Sequence, residues 1–481
     1  MRHYAAGCES QPPRARGLTP NKMDTPIYDF LNRYQSEHGV RLHMPGHKGK
    51  HFLGCEDMDI TDFAGADDLA RPTTIIAASE GHATELFGSQ ASLFSTEGSS
   101  QSIRAMVYLL SCYAQIQDRK STGQEARRPY FIAGRNAHKA FMYALALVDG
   151  EVDWLWPPQS DSICSGRIEA EDLETALRKA PRQPAAVYLT SPDYLGGRAN
   201  IRELAQICHH YGTFLAVDNA HGAYQHFLAQ PCHPLDIGAD ICCDSAHKTL
   251  PVLTGGAYLH LGKSLPAFFK DQAKPAMNLF GSTSPSYLIL ASLDLANRYL
   301  AGSYAQDLAA WLEPVEKTRA RLRAQGWQVE ETEPLKITLR APQGLSGLEI
   351  AQILRSHQIV EEYADRDYVV LMVTPQNSQE DLDRLTDALG QCQWAPSDER
   401  QSQVILDHLH QAPEKAMTIR EAVFSAQENL EVGKALDRIC ASPTVSCPPA
   451  IPLAVSGERL NQQTLNLLTY YGIPKISVVA E

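Results

Sequence analysis

Ser245-Ala246-His247-Lys248 ends an apolar, strand-like run (Ala239, Ile241, Cys242, Cys243) and stands just before Thr254-Gly255-Gly256. A lysine amine held on a rigid strand end can condense with an aldehyde to form a Schiff base. The tetrapeptide alone would also read as a polar loop, so the surrounding chain decides its meaning. Upstream, Phe214-Leu215-Ala216-Val217-Asp218 is an apolar strand that ends in a carboxylate. It follows a helical stretch, Ile201 to Tyr211, closed by Gly212. Asp218 precedes Lys248 by 30 residues, room for a turn, a short helix and one strand. In a doubly wound sheet, consecutive strand ends open on one crevice. The bland reading of Asp218 is a helix N-cap.

Two further segments fit the same crevice. Thr96-Glu97-Gly98-Ser99-Ser100-Gln101-Ser102 follows the apolar segment Ala91 to Phe94 and opens a helix-periodic run of Ile103, Met106, Val107 and Leu110. Small hydroxylated residues at a helix start bind anions through backbone N–H groups and the helix dipole. The spacing is not that of a P-loop. Arg135-Asn136-Ala137-His138-Lys139 follows the strand Tyr130 to Ala133 and places an imidazole at another strand end. Together these groups suit pyridoxal phosphate. Lys248 would take its aldehyde, and Asp218 would face the pyridine nitrogen and keep it protonated. Ser99, Ser100, Gln101 and Ser245 would hold the phosphate, and His138 would stack on the ring. His247 would contact the phosphate or help proton transfer. Thr190, in Thr190-Ser191-Pro192, and His221 would line the pocket. The order of phosphate loop, histidine, aspartate and lysine resembles that of fold type I enzymes, the aspartate aminotransferase superfamily.

Three more blocks narrow the resemblance. Leu42-His43-Met44-Pro45-Gly46-His47-Lys48-Gly49 resembles the opening signature of the bacterial Orn/Lys/Arg decarboxylase family. Phe280-Gly281-Ser282-Thr283-Ser284-Pro285-Ser286-Tyr287, followed by Ala291-Ser292-Leu293-Asp294, resembles its Thr-Ser-Pro-Ser-Tyr block. Cys447-Pro448-Pro449-Ala450-Ile451-Pro452-Leu453 and Ser456-Gly457-Glu458 resemble its C-terminal signature. The resemblance runs from about Met23 to the C-terminus. It implies the short form of the family, without the N-terminal wing domain. It also implies a homodimer or larger homo-oligomer with shared active sites, in which Ser282 and Thr283 reach the neighbouring subunit's phosphate. The chain departs from the family at Cys447, at Ala450 and at Tyr224, which replaces the last histidine of a His-Gly-Ala-His run.

The fold class expected is α/β. A fold type I large domain with a mostly parallel seven-stranded sheet would carry a smaller α+β domain and a C-terminal module. Residues 1–22 are basic and proline-bearing without helical periodicity, and are expected to be a disordered extension. Residues 23–75 hold an N-terminal helix and an active-site loop; Thr25-Pro26 reads as its N-cap and first turn. Residues 76–300 form the cofactor-binding domain, 301–395 the small domain and 396–481 the C-terminal module. A helical stretch from Tyr287 to about Arg323 is expected to break or kink at Pro314. Residues 395–414 read as a polar linker, and Thr418-Ile419-Arg420-Glu421 as a capping box.

Composition sets outer limits. Of 481 residues, 44% are hydrophobic and 21% charged, as in an ordinary globular protein. No apolar run reaches the roughly 18 residues of a membrane span. A formal net charge of −13 argues against broad nucleic-acid binding. Eleven cysteines, scattered and without a Cys-x2-Cys pair, point to a reducing cytoplasm. No metal is expected: His43, His47 and His51 share His-x3-His spacing, but Pro45, Gly46 and Gly49 exclude the helix that would present them together. Cys232-His233 reads as loop.

A cationic amino acid substrate requires an acidic partner. His43, Asp67, Glu362 and Glu458 are the candidate substrate residues, with Asp68 and Asp365 as further acids. By analogy with the family, the substrate order is arginine, then lysine, then ornithine, for polyamine synthesis. An aminotransferase or a cysteine desulfurase-like enzyme is the alternative. For the latter, Cys164 comes nearest to a carrier thiol.

Overall fold

Seven short segments pair into one sheet; all but the edge strand Glu151–Leu155, where Asp153 is exposed, are largely apolar and buried on both faces, as parallel strands under helical layers are. They are β1 (Ala91–Ser95), β2 (Tyr130–Gly134), β3 (Glu151–Leu155), β4 (Ala186–Thr190), β5 (Leu215–Asp218), β6 (Ile241–Asp244) and β7 (Ala257–Leu261). This computed structural model describes residues 23–157, 162–392, 394, 413–443 and 451–481. The strand order is β1-β7-β6-β5-β4-β2-β3, with only β7 reversed against its neighbours. Alternate side chains enter two cores. Phe131, Ala133, Ala216 and Cys243 pack under helices Ser99–Thr122 and Lys139–Val148. Ile132, Val187, Val217 and Cys242 pack under Ala170–Lys179 and Ile201–His210. The sheet expected from the sequence is therefore present.

Parallel pairing sends the carboxyl ends of the neighbouring strands to one edge, where ligands bind in open α/β sheets. Thr190 stands opposite Asp218, and Asp218 opposite Cys243. The small domain is an antiparallel sheet of β8 (Gln328–Val329), β9 (Lys336–Arg340), β10 (Tyr363–Ala364) and β11 (Tyr368–Met372), in the order β10-β11-β9-β8. Helices Tyr304–Ala324, Gly347–Ser356 and Gln379–Gly390 share its apolar core. At the C-terminus, β12 (Gln427–Glu431) pairs with β13 (Lys475–Val479), and Thr418 and Glu421 form the expected capping box. No helix among the described residues is long and apolar enough to cross a membrane.

Two local expectations are corrected. The chain does not break at Pro314, because helix Tyr304–Ala324 runs through it; the break falls at Gly302-Ser303. Proline removes one helical N–H, and the buried anchors Leu308, Trp311, Val315 and Leu322 keep the helix continuous across it. Thr25 makes no side-chain cap; its hydroxyl donates to Asp29 at 2.9 Å. The free N–H groups of Ile27 and Tyr28 instead donate to the distant Asp294 at 2.9 and 3.0 Å. That contact assigns a structural job to the Ala291-Ser292-Leu293-Asp294 block. Residues 1–22, the 395–412 part of the linker and Cys447 to Ala450 lie outside the described residues.

Candidate active site

The carboxyl edge of the sheet holds a cavity of about 310 Å³ with Lys248 in its wall. Lys248 sits on the one-turn helix Ala246–Thr249 that follows β6, not on the strand itself. The turn aims the amine back over the sheet edge, and Nζ lies 3.0 Å from Nε2 of His221. Burial pushes the Lys248 amine below the ordinary lysine range, and the Asp218 and Glu362 carboxylates oppose that shift. His221 is buried and also lowered, first by burial and then by the Lys248 charge. A neutral imidazole therefore accepts from the amine, and its Nδ1 has no partner.

Asp218 ends β5 and is 2% exposed. It accepts from Tyr188 Oη at 3.3 Å and from the Ala220 N–H at 3.2 Å. Burial raises its carboxyl, and the Lys248 charge partly offsets this. His138 also lines the cavity. Its Nδ1 accepts from the Ala140 N–H at 3.1 Å, which fixes the ring at the start of helix Lys139–Val148. Burial pushes its pKa down to about 4, with the Lys248 charge next in effect.

The opposite end of the cavity is an anion cradle. Gly98, at φ +70°, turns the chain into the 24-residue helix Ser99–Thr122. Ser99 and Ser100 line the cavity at that helix start, and the Ser245 hydroxyl donates to the Ser99 hydroxyl at 2.8 Å. Gly255 presses against this turn: its carbonyl accepts from Gly98 N–H at 2.7 Å, and a Cβ there would lie 2.8 Å from the Thr96 carbonyl oxygen. His247 lines the cavity with Nδ1 3.0 Å from the Gly256 carbonyl oxygen, and Thr190 lines it from β4. A buried amine, a buried carboxylate, an imidazole and a hydroxyl-rich helix start converge on one space. This donor set fits pyridoxal phosphate, whose aldehyde, ring nitrogen and phosphate need those groups.

Several expected residues are not in that space. Gln101 turns away: its oxygen accepts from Ser95 Oγ at 2.6 Å and its amide donates to the Met277 carbonyl at 2.8 Å. Glu458 is 2% exposed and holds both terminal nitrogens of Arg135, at 2.6 and 2.7 Å, so it is a buried ion-pair partner and does not line the cavity. Asp67 accepts from the N–H groups of Asp68, Thr73, Thr74 and Ile76, and Asp68 accepts from Ala70. Both order the turn before helix Ile75–Leu86. Asp365 accepts from Tyr363 Oη and two backbone N–H groups. His43 bonds Tyr34 Oη at 2.6 Å and packs on Phe63; its loop does not reach the cavity of its own chain. Ser282 and Thr283 are exposed and also lie outside it. Cys164 is buried and its thiol is pushed up by burial, which does not suit a mobile carrier.

Glu362 does not line the cavity either, but it touches a residue that does. It accepts from Tyr194 Oη at 2.7 Å, and Tyr194 lines the cavity edge-on to His221 at 5.3 Å. Nothing in the sequence marks Tyr194. It lies in the loop after Ser191-Pro192, and its neighbours Lys336 and Tyr363 come from the small domain. Glu97 also lines the cavity, although the sequence points only to the serines after it.

The seven-stranded sheet and its lysine-bearing edge are those of a fold type I pyridoxal phosphate enzyme. Solved lysine decarboxylases share the fold. The constitutive enzyme of E. coli matches with a TM-score of 0.75 and 18% identity, over 96% of this chain and 82% of that one. The Francisella novicida enzyme matches with a TM-score of 0.75 and 16% identity over the same shares. The chain belongs to the Orn/Lys/Arg decarboxylase family: its major domain matches residues 25–342 and its C-terminal domain residues 398–475. An arginine decarboxylase of Bacillus subtilis is 29% identical over 93% of this chain and 94% of its own length. An arginine decarboxylase of Halalkalibacterium halodurans is 26% identical over 92% of each. The protein is thus a pyridoxal phosphate-dependent amino acid decarboxylase.

Proposed function

We propose that the chain decarboxylates arginine to agmatine in preference to lysine and ornithine, as a step of polyamine synthesis in the cytoplasm. The observation that carries this reading is Glu362, an exposed acid that accepts from the cavity-lining Tyr194 and whose charge opposes the burial shift of the Lys248 amine. A carboxylate there can pair with a cationic side chain that would otherwise lose its hydration. The named activities of the Bacillus subtilis and Halalkalibacterium halodurans relatives favour arginine.

Lys248 would hold the cofactor aldehyde, Asp218 its ring nitrogen and His138 its ring face. Ser99, Ser100 and Ser245 would bind its phosphate, and the backbone N–H of Gln101 remains at the same helix start. Pyridoxal phosphate held by these residues would supply the electron sink that cleavage of the substrate's carboxylate bond requires. Lys248 and the neutral His221 are placed to pass a proton between Nζ and Nε2. The exposure of Ser282, Thr283 and the His43 loop agrees with a homodimer in which they face a neighbouring subunit's site.

The purified holoenzyme is given arginine, lysine, ornithine and diaminopimelate separately, and the products are read by mass spectrometry. Agmatine and CO2 at the highest kcat/KM are expected from arginine. Keto acid without CO2, or a preference for another of the four, overturns the reading. Sedimentation at micromolar concentration is expected to give a dimer or larger species, and a monomer would refute the shared site.

A further inference from the structure

A second cluster of donors lies wholly inside the large domain and takes no part in the lysine cavity. His233 precedes the short turn Pro234–Ile237, Cys242 and Asp244 share one face of β6, and His260 stands on β7 directly opposite Cys242. All four side chains are buried. Nε2 of His233 and Nε2 of His260 lie 3.0 and 3.2 Å from the same oxygen of Asp244. Cys242 Sγ lies 3.9 Å from Nε2 of His233. The two imidazoles and the carboxylate are the one group of such donors within 4.8 Å of each other among the described residues.

We propose that His233, His260, Asp244 and Cys242 form a closed transition-metal site of the zinc type. Zinc bonds of about 2.0–2.3 Å in a tetrahedron set donors roughly 3.3–3.7 Å apart. The separations of 3.0 and 3.2 Å lie just under that range, so a small opening of the two imidazole contacts admits the ion. Cys242 Sγ, 3.9 Å from His233 but outside the group of donors within 4.8 Å of one another, has to swing inward to complete the tetrahedron. The donor chemistry also suits it: two neutral imidazoles, one carboxylate and one thiolate balance a divalent charge. Without an ion, the ion-pair partners of Asp244 are imidazoles alone, in a region with no exposure.

Two of the four ligands have the outer partners expected around a metal, while Nδ1 of His233 has none. Nδ1 of His260 bonds Ser92 Oγ at 2.7 Å, and Asn219 Nδ2 donates to the other oxygen of Asp244 at 2.7 Å. The Phe87 ring lies 4.4 Å from that of His260 and closes the cluster against water. On binding, the Cys242 Sγ–H proton is released to solvent and sulfur bonds the metal. The Nε2 protons that His233 and His260 share with Asp244 move to Nδ1, or leave to solvent where Nδ1 is already protonated, so that each Nε2 lone pair bonds the metal, and no oxidant or reductant takes part. Four protein donors leave no open position, so the ion is structural. It would tie β6, β7 and the segment ahead of β6 together one residue before Ser245.

The test is metal content. Holoenzyme from zinc-supplemented culture is passed through EDTA and gel filtration, then measured by plasma mass spectrometry. About one zinc per chain is expected, as for a closed four-ligand site. Folded, active protein below about 0.1 metal per chain, unchanged after refolding with zinc, overturns the proposal and leaves a hydrogen-bonded His-Asp-His triad. That measurement needs no variant. Refolding with Co2+ then tests the sulfur. The near-ultraviolet thiolate-to-cobalt band is expected in wild type and in Cys243→Ser, and absent in Cys242→Ser. A band that survives Cys242→Ser removes Cys242 from the ligand set.

Discussion

Arg135 and Lys248 are both cations placed just after a buried strand of the same sheet, and the protein treats them in opposite ways. Arg135 follows β2 and has a partner on each of its three guanidinium nitrogens. Glu458 takes two of its nitrogens, the Pro452 carbonyl accepts from it at 3.2 and 3.3 Å, and Trp156 lies 4.5 Å from its charge. Lys248 follows β6 and meets one neutral imidazole nitrogen at 3.0 Å. A buried ion whose donors are all used is scaffold; one left short of partners is held ready for a ligand. Glu458 looked like a substrate acid in the sequence because it sits in a family signature. The structure shows that it anchors the C-terminal module to the large domain.

The difference is open to direct attack. Lys248→Ala is expected to lower kcat by about 10²–10⁴-fold or more while the urea midpoint barely moves. A variant that turns over normally would erase the distinction. Glu458→Ala should do the reverse. It strands the buried Arg135 charge and costs about 3–5 kcal/mol in urea unfolding, while the folded fraction keeps its kcat.

A pH series probes the electropositive side of the cavity. His138 is held at about 4 in the folded protein, below its ordinary value of 6.5. A lowered histidine pKa contributes stability that is fully present above about pH 6.5 and is lost as pH falls towards 4. The loss amounts to about 3 kcal/mol. His138→Gln should flatten the urea-midpoint slope across that window, and an unchanged slope would show that His138 is not held neutral. The smallest effect is expected at Glu362→Gln. It should raise KM for arginine about 10-fold, roughly 1.4 kcal/mol, with kcat nearly unchanged. An equal fall in kcat and no change in KM would place Glu362 in the chemistry instead of substrate binding.

Much of the site could be read from the chain because its members are tied to strand ends. Asp218, His138, Thr190 and Lys248 each follow an apolar run that could only be a buried strand, and parallel strands deliver their ends to one edge. Ser99 and Ser245 were legible for the same reason. Gln101 was not, since a helical residue two positions past the turn points to the next face, here towards Met277. Asp67 and Asp365 could not be told from substrate acids in the sequence, because a capping carboxylate and a substrate carboxylate look alike until their N–H partners are known. Tyr194 left no trace at all: its partner Glu362 lies 168 residues away.

The sequence by itself determined the seven-stranded α/β sheet, the lysine and aspartate on its carboxyl edge and the family to which the chain belongs. These rest on local periodicity and on strand ends that need no knowledge of distant contacts. Tertiary structure alone decided which acids are free. It spent Glu458 on Arg135 and Asp67 on a turn, and left Glu362 beside Tyr194 of the cavity wall. It also gathered His233, Cys242, Asp244 and His260 into one buried cluster. The meaning of a charged or ligating side chain depends on what its few polar atoms meet at about 3 Å, and those partners come from segments the local pattern does not link.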